Sequence, residues 1–340
     1  MSVTQQTTTF ADLYTALMNA VRSDTSITAT SNQAKRAINI ALQDMHLGFD
    51  YKFPWAERSA RLITQAQYTT GTCTATKGST TLTGQSTAWN TNNDFTVKNM
   101  RANGKIKIGG STVPYVIQSV SSDTAAVLTS KFTETTETEQ TYLYYEDEYD
   151  LASDFLRPVD LRRFSTEANI DLISRTEFRR RFPSNSVPSS YPSVACLNDF
   201  APSGNTTPIR RVQFSPPPSI AQNIPYTYIT SNLAVSSAGV AAANLSGDTD
   251  EPIIPLRYRH ALVYHALAAW YRDKKDDTRS AEAKGEYTDI MLRIVGDVEV
   301  GGVRPRIQPR LGPYAARARR PWSGSNSRRY DLNGKFDRME

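Results

Sequence analysis

The spacing of apolar residues divides the 340-residue chain into helical and extended regions. Apolar side chains recur every three or four positions over 10–22 and 31–47, which predicts two amphipathic helices. Thr9 is placed to cap the first helix, and Thr30 with Gln33 forms a capping-box pattern for the second. We expect the two helices to pack as a hairpin.

Residues 61–150 follow a different pattern, because Thr and Ser become frequent and apolar residues alternate with polar ones. A period of two predicts short strands. Asn103-Gly104 and Gly109-Gly110 mark turns between them. Closely spaced short strands are typical of a small β-sandwich or barrel. The predicted strands are 61–65, 71–76, 79–84, 104–109, 113–120, 124–130 and 141–146.

Residues 151–255 are rich in proline, which excludes long helices and permits edge strands and ordered loops. Short strands are predicted at 209–214 and 225–229, and one helix at 170–182. Helical spacing returns over 256–272, where the helix is apolar nearly all round, and continues over 278–297. A helix of this kind is covered on several sides, either by its own chain or by a neighbouring subunit.

The last forty residues carry the whole positive excess of the chain. They hold ten Lys or Arg against three Asp or Glu, a net charge of +7, whereas the first 300 residues hold 29 against 31, a net charge of −2. Prolines interrupt this tail, and aromatic residues are scattered through it. We expect the tail to dock onto another surface and to order on binding. A solvated disordered tail and a nucleic-acid-binding tail are the alternatives.

The remaining composition indicates little catalytic chemistry. Two cysteines, Cys73 and Cys196, cannot form a disulfide framework, and we expect both to be at least half-buried. The polar N-terminus has no signal-peptide core, and no apolar stretch is long enough to span a bilayer. The chain lacks a phosphate-binding glycine loop, a serine nucleophile elbow and a zinc-binding histidine pair. We therefore expect no enzyme, no cofactor, no metal and no membrane association.

Two features keep other functions open. Glu146, Asp147, Glu148, Asp150 and Asp154 form an acidic cluster, and paired carboxylates serve glycoside hydrolysis. Strand alternation places Glu146 and Glu148 on one face, but we expect an exposed acidic edge strand there rather than a catalytic pair. Trp89 is the best stacking platform for a glycan in the Thr-rich module, although packing in the core is the favoured interpretation.

The order of several short motifs carries a resemblance. Two helices are followed by Trp55 and a strand at 61–64; later come the acidic and aromatic stretch 145–158, the strand 209–218 that ends in three prolines, and the short stretch 226–228. A final helix pair contains 270–276 and 281–292. In this order, the motifs resemble those of the head-to-tail adaptor (connector) proteins of tailed bacteriophages, in particular the portal-attached adaptors of short-tailed phages.

The resemblance implies an α+β fold, with a helical-bundle scaffold, an inserted small β-sandwich or barrel domain, and an extended C-terminal tail. The implied parts are an N-terminal helical part (1–66), the inserted β domain (67–145), a Pro-rich β and loop part (146–255), a C-terminal helix pair (256–300) and the basic tail (301–340).

The resemblance also implies a function. Such adaptors are virion structural proteins that form a ring, typically of twelve copies, under the portal at the head–tail junction, and assemble in the host cytoplasm. Their partners are the portal protein, further copies of themselves, a downstream tail or nozzle protein, and the packaged DNA that passes through the lumen. A tail component that binds host-surface glycans and a tail-associated cell-wall hydrolase are the alternatives.

Two groups of residues are expected to mediate these contacts. The residues expected at the subunit interface lie along the apolar helix: Tyr258, Leu262, Tyr264, His265, Trp270 and Tyr271. The residues expected to dock onto the portal lie in the tail: Arg304, Arg306, Arg310, Tyr314, Arg317, Arg319, Arg320, Trp322, Arg328, Arg329, Tyr330 and Phe336.

Overall fold

A computed structural model describes residues 8–23, 27–47, 52–111, 113–161, 169–183, 187–189, 191–200 and 209–299. This part of the chain is a mixed α+β structure, as the sequence predicts. Its helices are α1 (Phe10–Ala20), α2 (Thr28–Leu47), α3 (Arg175–Arg181), α4 (His260–Asp273) and α5 (Asp277–Glu299). None of the helices in these ranges is both long enough and apolar enough to cross a membrane.

The strands fall into four sheets. They are β1 (Glu57–Ile63), β2 (Thr72–Ala75), β3 (Thr81–Gln85), β4 (Lys105–Ile108), β5 (Tyr115–Val120), β6 (Ala125–Leu128), β7 (Glu137–Gln140), β8 (Tyr142–Tyr145), β9 (Glu148–Asp150), β10 (Phe155–Leu161), β11 (Asp171–Ile173), β12 (Val194–Phe200), β13 (Ile209–Ser215), β14 (Asn223–Thr230), β15 (Ala234–Val235), β16 (Ala241–Ala242) and β17 (Glu251–Pro252).

Helix α1 begins where local sequence predicts it. The Thr9 hydroxyl accepts a hydrogen bond from the Asp12 backbone N–H at 3.3 Å, and the Asp12 carboxylate accepts one from the Thr9 N–H at 3.0 Å. Two of the donors at the helix start are thereby satisfied. The cap predicted for α2 is wrong, since α2 begins at Thr28, before Thr30. Helices α1, α2 and α4 pack against one another, including the expected contact of α1 with α2.

Helix α5 buries one apolar face, and two of its residues contact α4. Its buried residues are Ala283, Tyr287, Ile290, Met291 and Ile294. The Tyr287 ring meets the His265 ring of α4 edge-on, with centroids 4.8 Å apart. The Ser280 hydroxyl donates a hydrogen bond to the Ala268 carbonyl at 2.9 Å. The last two helices therefore form an antiparallel-type pair joined by a short turn, as expected for residues so close in sequence.

Seven strands form a curled sheet in the order β7-β2-β3-β6-β5-β4-β8. Strands β7 and β8 lie at opposite ends of this order, yet only Thr141 separates them in sequence. The sheet must therefore curl until its two ends approach each other, which is the behaviour of a barrel rather than of a flat sheet. Backbone hydrogen bonds of 2.9 Å run both ways between Tyr68 and Tyr144, beside the point where the chain leaves the sheet. The curled sheet encloses its own core, which includes Leu82, Trp89, Ile106, Ile117, Leu128 and Tyr144.

Two further sheets share a second core. The order β1-β14-β10 forms one sheet, and β11-β12-β13-β9 forms the other. Leu62, Tyr226 and Tyr228 of the first sheet belong to the same buried cluster as Tyr149 and Val212 of the second. Five of the twelve buried residues in this cluster are aromatic, and Phe155 stacks on Tyr228 with ring centroids 5.5 Å apart. The Pro-rich region therefore holds an ordered β core.

The single helix predicted over 170–182 is wrong for its first residues and confirmed over Arg175–Arg181. Residues Asp171–Ile173 form β11, which pairs in parallel with β12, and the helix begins only at Arg175. Ser174 marks the boundary, because its hydroxyl accepts a hydrogen bond from the Glu177 N–H at 3.3 Å as an N-cap. The domain boundaries drawn from the sequence stay predictions.

Candidate functional site

The acidic segment, residues 146–150, is the strongest candidate site in the sequence, and the structure gives its carboxylates basic partners. Glu146 is 4% exposed. It accepts a hydrogen bond from Arg101 Nε at 2.9 Å, a second from Arg101 Nη2, and another from the Tyr144 hydroxyl. Burial alone would lower the pKa of Arg101, but the hydrogen bonds and charge of Glu146 outweigh it and raise that pKa.

Asp147 is buried as well, with 1% of its surface exposed. Lys105 Nζ of β4 lies 2.6 Å from its Oδ2, and Gln213 Nε2 of β13 donates to the same oxygen at 2.9 Å. Asp147 therefore joins the curled sheet to the four-stranded sheet through one carboxylate oxygen.

Arg211 holds the next two acidic residues. This arginine is itself 5% exposed. Its Nη1 lies 3.0 Å from Glu148 Oε2, and its Nε lies 2.6 Å from Asp150 Oδ1. Asp154, the last acidic residue of the cluster, accepts hydrogen bonds of 2.7 Å from the hydroxyls of Tyr228 and Thr230.

The expectation of an exposed acidic edge strand is correct for the edge position and wrong for the exposure. Strand β9 does lie at the edge of its sheet. Glu146 and Asp147, however, are buried ion-pair partners, because Arg101 and Lys105 come to them from distant parts of the chain. A general acid or base must face its substrate. The oxygens of Glu146 face Arg101 and Tyr144 instead, so these contacts are structural.

Trp89 is fully buried in the core of the curled sheet, which confirms the core interpretation. Its indole N–H donates to the Tyr142 hydroxyl at 2.8 Å, and the two rings meet edge-on with centroids 5.9 Å apart. A buried indole has no free face on which a sugar could stack. Trp89 is therefore not a glycan platform.

The two cysteines are buried, as expected, and neither is paired with the other. Burial raises the pKa of the Cys73 thiol to about 12. Burial, with the charge of Glu148, raises the pKa of the Cys196 thiol to about 11, although Arg175 and Arg179 oppose the shift. Thiols of this kind are weak nucleophiles at neutral pH. Within the described ranges, no three His, Cys, Asp or Glu side chains come together as metal ligands.

The residues expected at a subunit interface divide into two groups. Tyr258, Leu262 and Trp270 are buried within their own chain. Tyr264, His265 and Tyr271 are half-buried. His265 faces inward, with its Nε2 at 3.6 Å from Asp44 Oδ2 of α2. Of the six residues, Tyr264 and Tyr271 therefore keep surface that a neighbouring copy can contact. The twelve tail residues expected to dock onto the portal lie outside the described residues.

Sequence reasoning missed a cleft of about 650 Å³ between the curled sheet and α3. One wall comes from the segment between β4 and β5 of the curled sheet, with Val113 and Pro114. The opposite wall is α3 and the residues after it, with Arg175, Phe178, Arg179, Phe182 and Pro183. No local sequence signal marks this cleft, since its walls lie some 60 residues apart in the chain.

A line of hydrogen-bonded polar side chains crosses the floor of the cleft. Asn198 Nδ2 donates to Gln213 Oε1 at 3.2 Å, Gln213 Nε2 donates to Asp147 at 2.9 Å, and Lys105 closes the line from the other side. Asn198, Gln213 and Lys105 lie on three different strands, and Asp147 lies between β8 and β9. The floor is therefore fixed in place before any ligand arrives.

The charges at the rim of the cleft are not balanced. Glu148 lines the cleft but is held by Arg211. Among the described residues, no carboxylate lies within ion-pair distance of Arg175 or Arg179, whereas Arg181 on the same helix pairs with Glu177. Both rim arginines are exposed. The cleft therefore presents two guanidinium groups beside apolar walls.

Comparison with known protein families found no family that matches this sequence. Comparison with functionally characterised proteins likewise found no relative. The function must therefore be argued from the residues themselves.

Proposed function

We propose that this chain is a virion structural protein, a head-to-tail adaptor that forms a ring of copies, twelve in the related arrangement, under a phage portal. The single observation that carries the proposal is the order of the motifs, which ends in the helix pair α4–α5 followed by a segment of net charge +7. In this proposal the tail reaches the portal, the body provides the docking surface for a downstream tail or nozzle protein, and DNA passes through the lumen.

The finer description of the fold belongs to the same proposal. Helices α1, α2, α4 and α5 would form the helical scaffold, and the curled sheet would be the inserted domain. Contacts between neighbouring copies in a closed ring are heterologous, so one surface of each copy meets a different surface of the next. The half-buried Tyr264 and Tyr271 on α4 offer apolar contact area for one side of such an interface.

The alternatives lack a supporting observation. A glycan-binding tail component was suggested by Trp89, which is fully buried. A cell-wall hydrolase was suggested by Glu146 and Glu148, and both carboxylates are paired with arginines. The proposal therefore assigns no catalytic residue and no cofactor.

The test is to mix the purified chain with the portal protein of the same virion and to image the mixture by negative stain. We expect rings stacked coaxially on the portal. A chain that ends at Val300 should stay folded by circular dichroism and fail to bind. A control chain with a Gly/Ser segment of equal length in place of 301–340 should also fail, because the sequence of the tail matters rather than its length.

Two outcomes would contradict this. Full-length protein that forms no complex with the portal would overturn the adaptor proposal. Undiminished binding by the truncated chain would remove the tail from the docking surface. A DNA-binding tail would be recognised by its salt response, since affinity for a phosphate backbone falls steeply between 50 and 200 mM salt, on the order of a thousand-fold for six or more phosphate contacts.

A further inference from the structure

We propose that the cleft beside α3 binds an extended acidic peptide segment of a partner protein, with an apolar residue of that segment seated between the cleft walls. This inference goes beyond the proposed function, because peptide binding by the cleft requires neither a ring nor a portal.

The first argument is the size and lining of the cleft. Its volume of about 650 Å³ lies within the range of pockets that hold a ligand. Val113 is 59% exposed at its edge, and Pro114, Phe182 and Pro183 complete an apolar lining. An apolar side chain of the partner that packs against this valine, the two prolines and the phenylalanine is buried from water, which favours binding.

The second argument is charge. Arg175 and Arg179 are four residues apart on α3, so they lie on one face of the helix, and both line the cleft. Neither has a carboxylate partner among the described residues. A guanidinium binds a carboxylate with two parallel hydrogen bonds, which gives geometry as well as strength. The partner that complements this rim is negatively charged.

The third argument is that the floor is already ordered. Lys105, Asp147, Gln213 and Asn198 hold one another across two sheets, so little of the binding energy would be lost in organising the site. Asn198 is 7% exposed and lies at the base of the cleft. Its amide can meet a peptide backbone group, which prefers a polar partner when it leaves water.

The apolar walls favour a peptide over a nucleic-acid backbone. Phosphates bind surface cations and gain nothing from a valine and two prolines beside them. A peptide that carries Asp or Glu next to a leucine or an aromatic residue uses both features of the cleft. Such a combination of an apolar anchor with a charged rim is typical of protein recognition sites.

The experiment selects peptides from a library of random heptapeptides displayed on yeast, with the full-length protein as bait. Because the basic tail also attracts acidic peptides, clones that bind the R175Q/R179Q variant equally well are discarded. The matched control variant is R180Q/R36Q, which loses the same charge from exposed arginines that do not line the cleft. Thermal melts should show all three proteins equally folded, since the four arginines are exposed.

We expect the remaining peptides to carry Asp or Glu beside Leu, Phe, Tyr or Trp. Their affinity should fall about tenfold or more in R175Q/R179Q, which corresponds to about 1.4 kcal/mol, and stay unchanged in R180Q/R36Q. V113S should weaken them by a smaller factor. Two results would overturn the inference: no peptide survives the counter-selection, or the survivors weaken equally in the control. A 20-nucleotide single-stranded DNA that displaces the peptides and itself needs Arg175 and Arg179 would also overturn it, in favour of a nucleic-acid site.

Discussion

The acidic segment 146–150 and helix α3 are both densely charged, and they are used in opposite ways. In the acidic segment, Glu146, Asp147 and Glu148 each meet an arginine or a lysine, and the first two are buried. On α3, Arg175 and Arg179 stay exposed beside a cleft. One set of charges holds elements of the chain together, and the other is free to meet a partner.

The comparison shows that the density of charged residues in a sequence does not distinguish buried ion pairs that hold the fold together from exposed charges on its surface. Removing a carboxylate from water costs several kcal/mol unless a partner compensates it, so a buried acidic run requires basic residues at matching positions. Those partners, Arg101, Lys105 and Arg211, lie 42 to 63 residues from the carboxylates that they hold. Exposed charges on α3 need no such partner.

The largest effect should follow from Glu146→Ala. It removes the carboxylate that the Arg101 guanidinium donates to and leaves the Tyr144 hydroxyl only the Arg101 carbonyl, at 3.3 Å, as an acceptor. We therefore expect a loss of about 3 kcal/mol in the free energy of unfolding, measured in urea. The matched change on α3, Glu177→Ala, breaks only a surface pair with Arg181 and should cost about 0.5 kcal/mol. Equal losses in the two variants would show that the buried and surface pairs do not differ.

A smaller effect should follow from Arg211→Met. Its partners Glu148 and Asp150 keep part of their surface in water, so we expect a loss of about 2 kcal/mol in the free energy of unfolding. Arg180→Met removes the same charge from an exposed position on α3 and should change stability by less than about 0.5 kcal/mol. A stable Arg211→Met protein with an unchanged urea midpoint would contradict the structural role of Arg211.

The smallest effect should come from His46, a buried side chain that has no acidic partner in the described part of the chain and that burial keeps uncharged. His46 is 1% exposed; burial lowers its pKa, and the charge of Arg157 adds to this, although a hydrogen bond with the Leu42 carbonyl opposes it. The unfolded chain then binds a proton more readily than the folded chain. Stability contributed by neutral His46 is present above the unfolded pKa of about 6.5 and is lost as pH falls below it, by at most about 1.4 kcal/mol per pH unit.

The measurement is the free energy of unfolding in urea at pH 7.0 and pH 5.5. In His46→Gln the stability lost on acidification should be smaller than in the unsubstituted chain, because glutamine has no proton to gain. Glutamine is chosen because it can still accept the hydrogen bond that Trp55 Nε1 donates to His46 at 3.2 Å. Burial lowers the pKa of His260 and of His265 as well, so some loss remains. An identical pH dependence in both proteins would exclude His46 as its source.

Local signals in the sequence were sufficient for the four long helices, α1, α2, α4 and α5, and for much of the curled sheet. The capping box of Thr9 with Asp12 and the apolar stripe of α5 lie within a few residues of one another, so a short window contains all the information. Alternation located β2 to β6 and β8, but every position of β7 is polar, with the sequence Glu-Thr-Glu-Gln, and this strand was missed. Strand β10 was missed because Pro158 lies within it.

The failures concern contacts between distant parts of the chain. Residues 171–173 form a strand because they pair with β12, and no local sequence pattern predicts that pairing. The burial of Glu146 and Asp147 depends on Arg101 and Lys105, and the cleft needs Val113 to face α3. A single sequence contains no local signal for contacts between distant residues. The acidic segment was therefore identified from the sequence, but its role in buried ion pairs was not.

The paired backbone hydrogen bonds between Tyr68 and Tyr144 have a consequence for how this chain can change over evolution. A residue pair that exchanges both backbone bonds holds its Cα atoms about 5.5 Å apart. The chain therefore departs for the curled sheet and comes back at nearly one place. A module whose own ends lie about that far apart could replace residues 69–143 if it also supplied basic partners for the buried Glu146 and Asp147, which Arg101 and Lys105 now hold. Tyr68 and Tyr144 therefore mark an insertion point, at which one module can be exchanged for another that keeps these ion pairs while the rest of the molecule keeps its geometry.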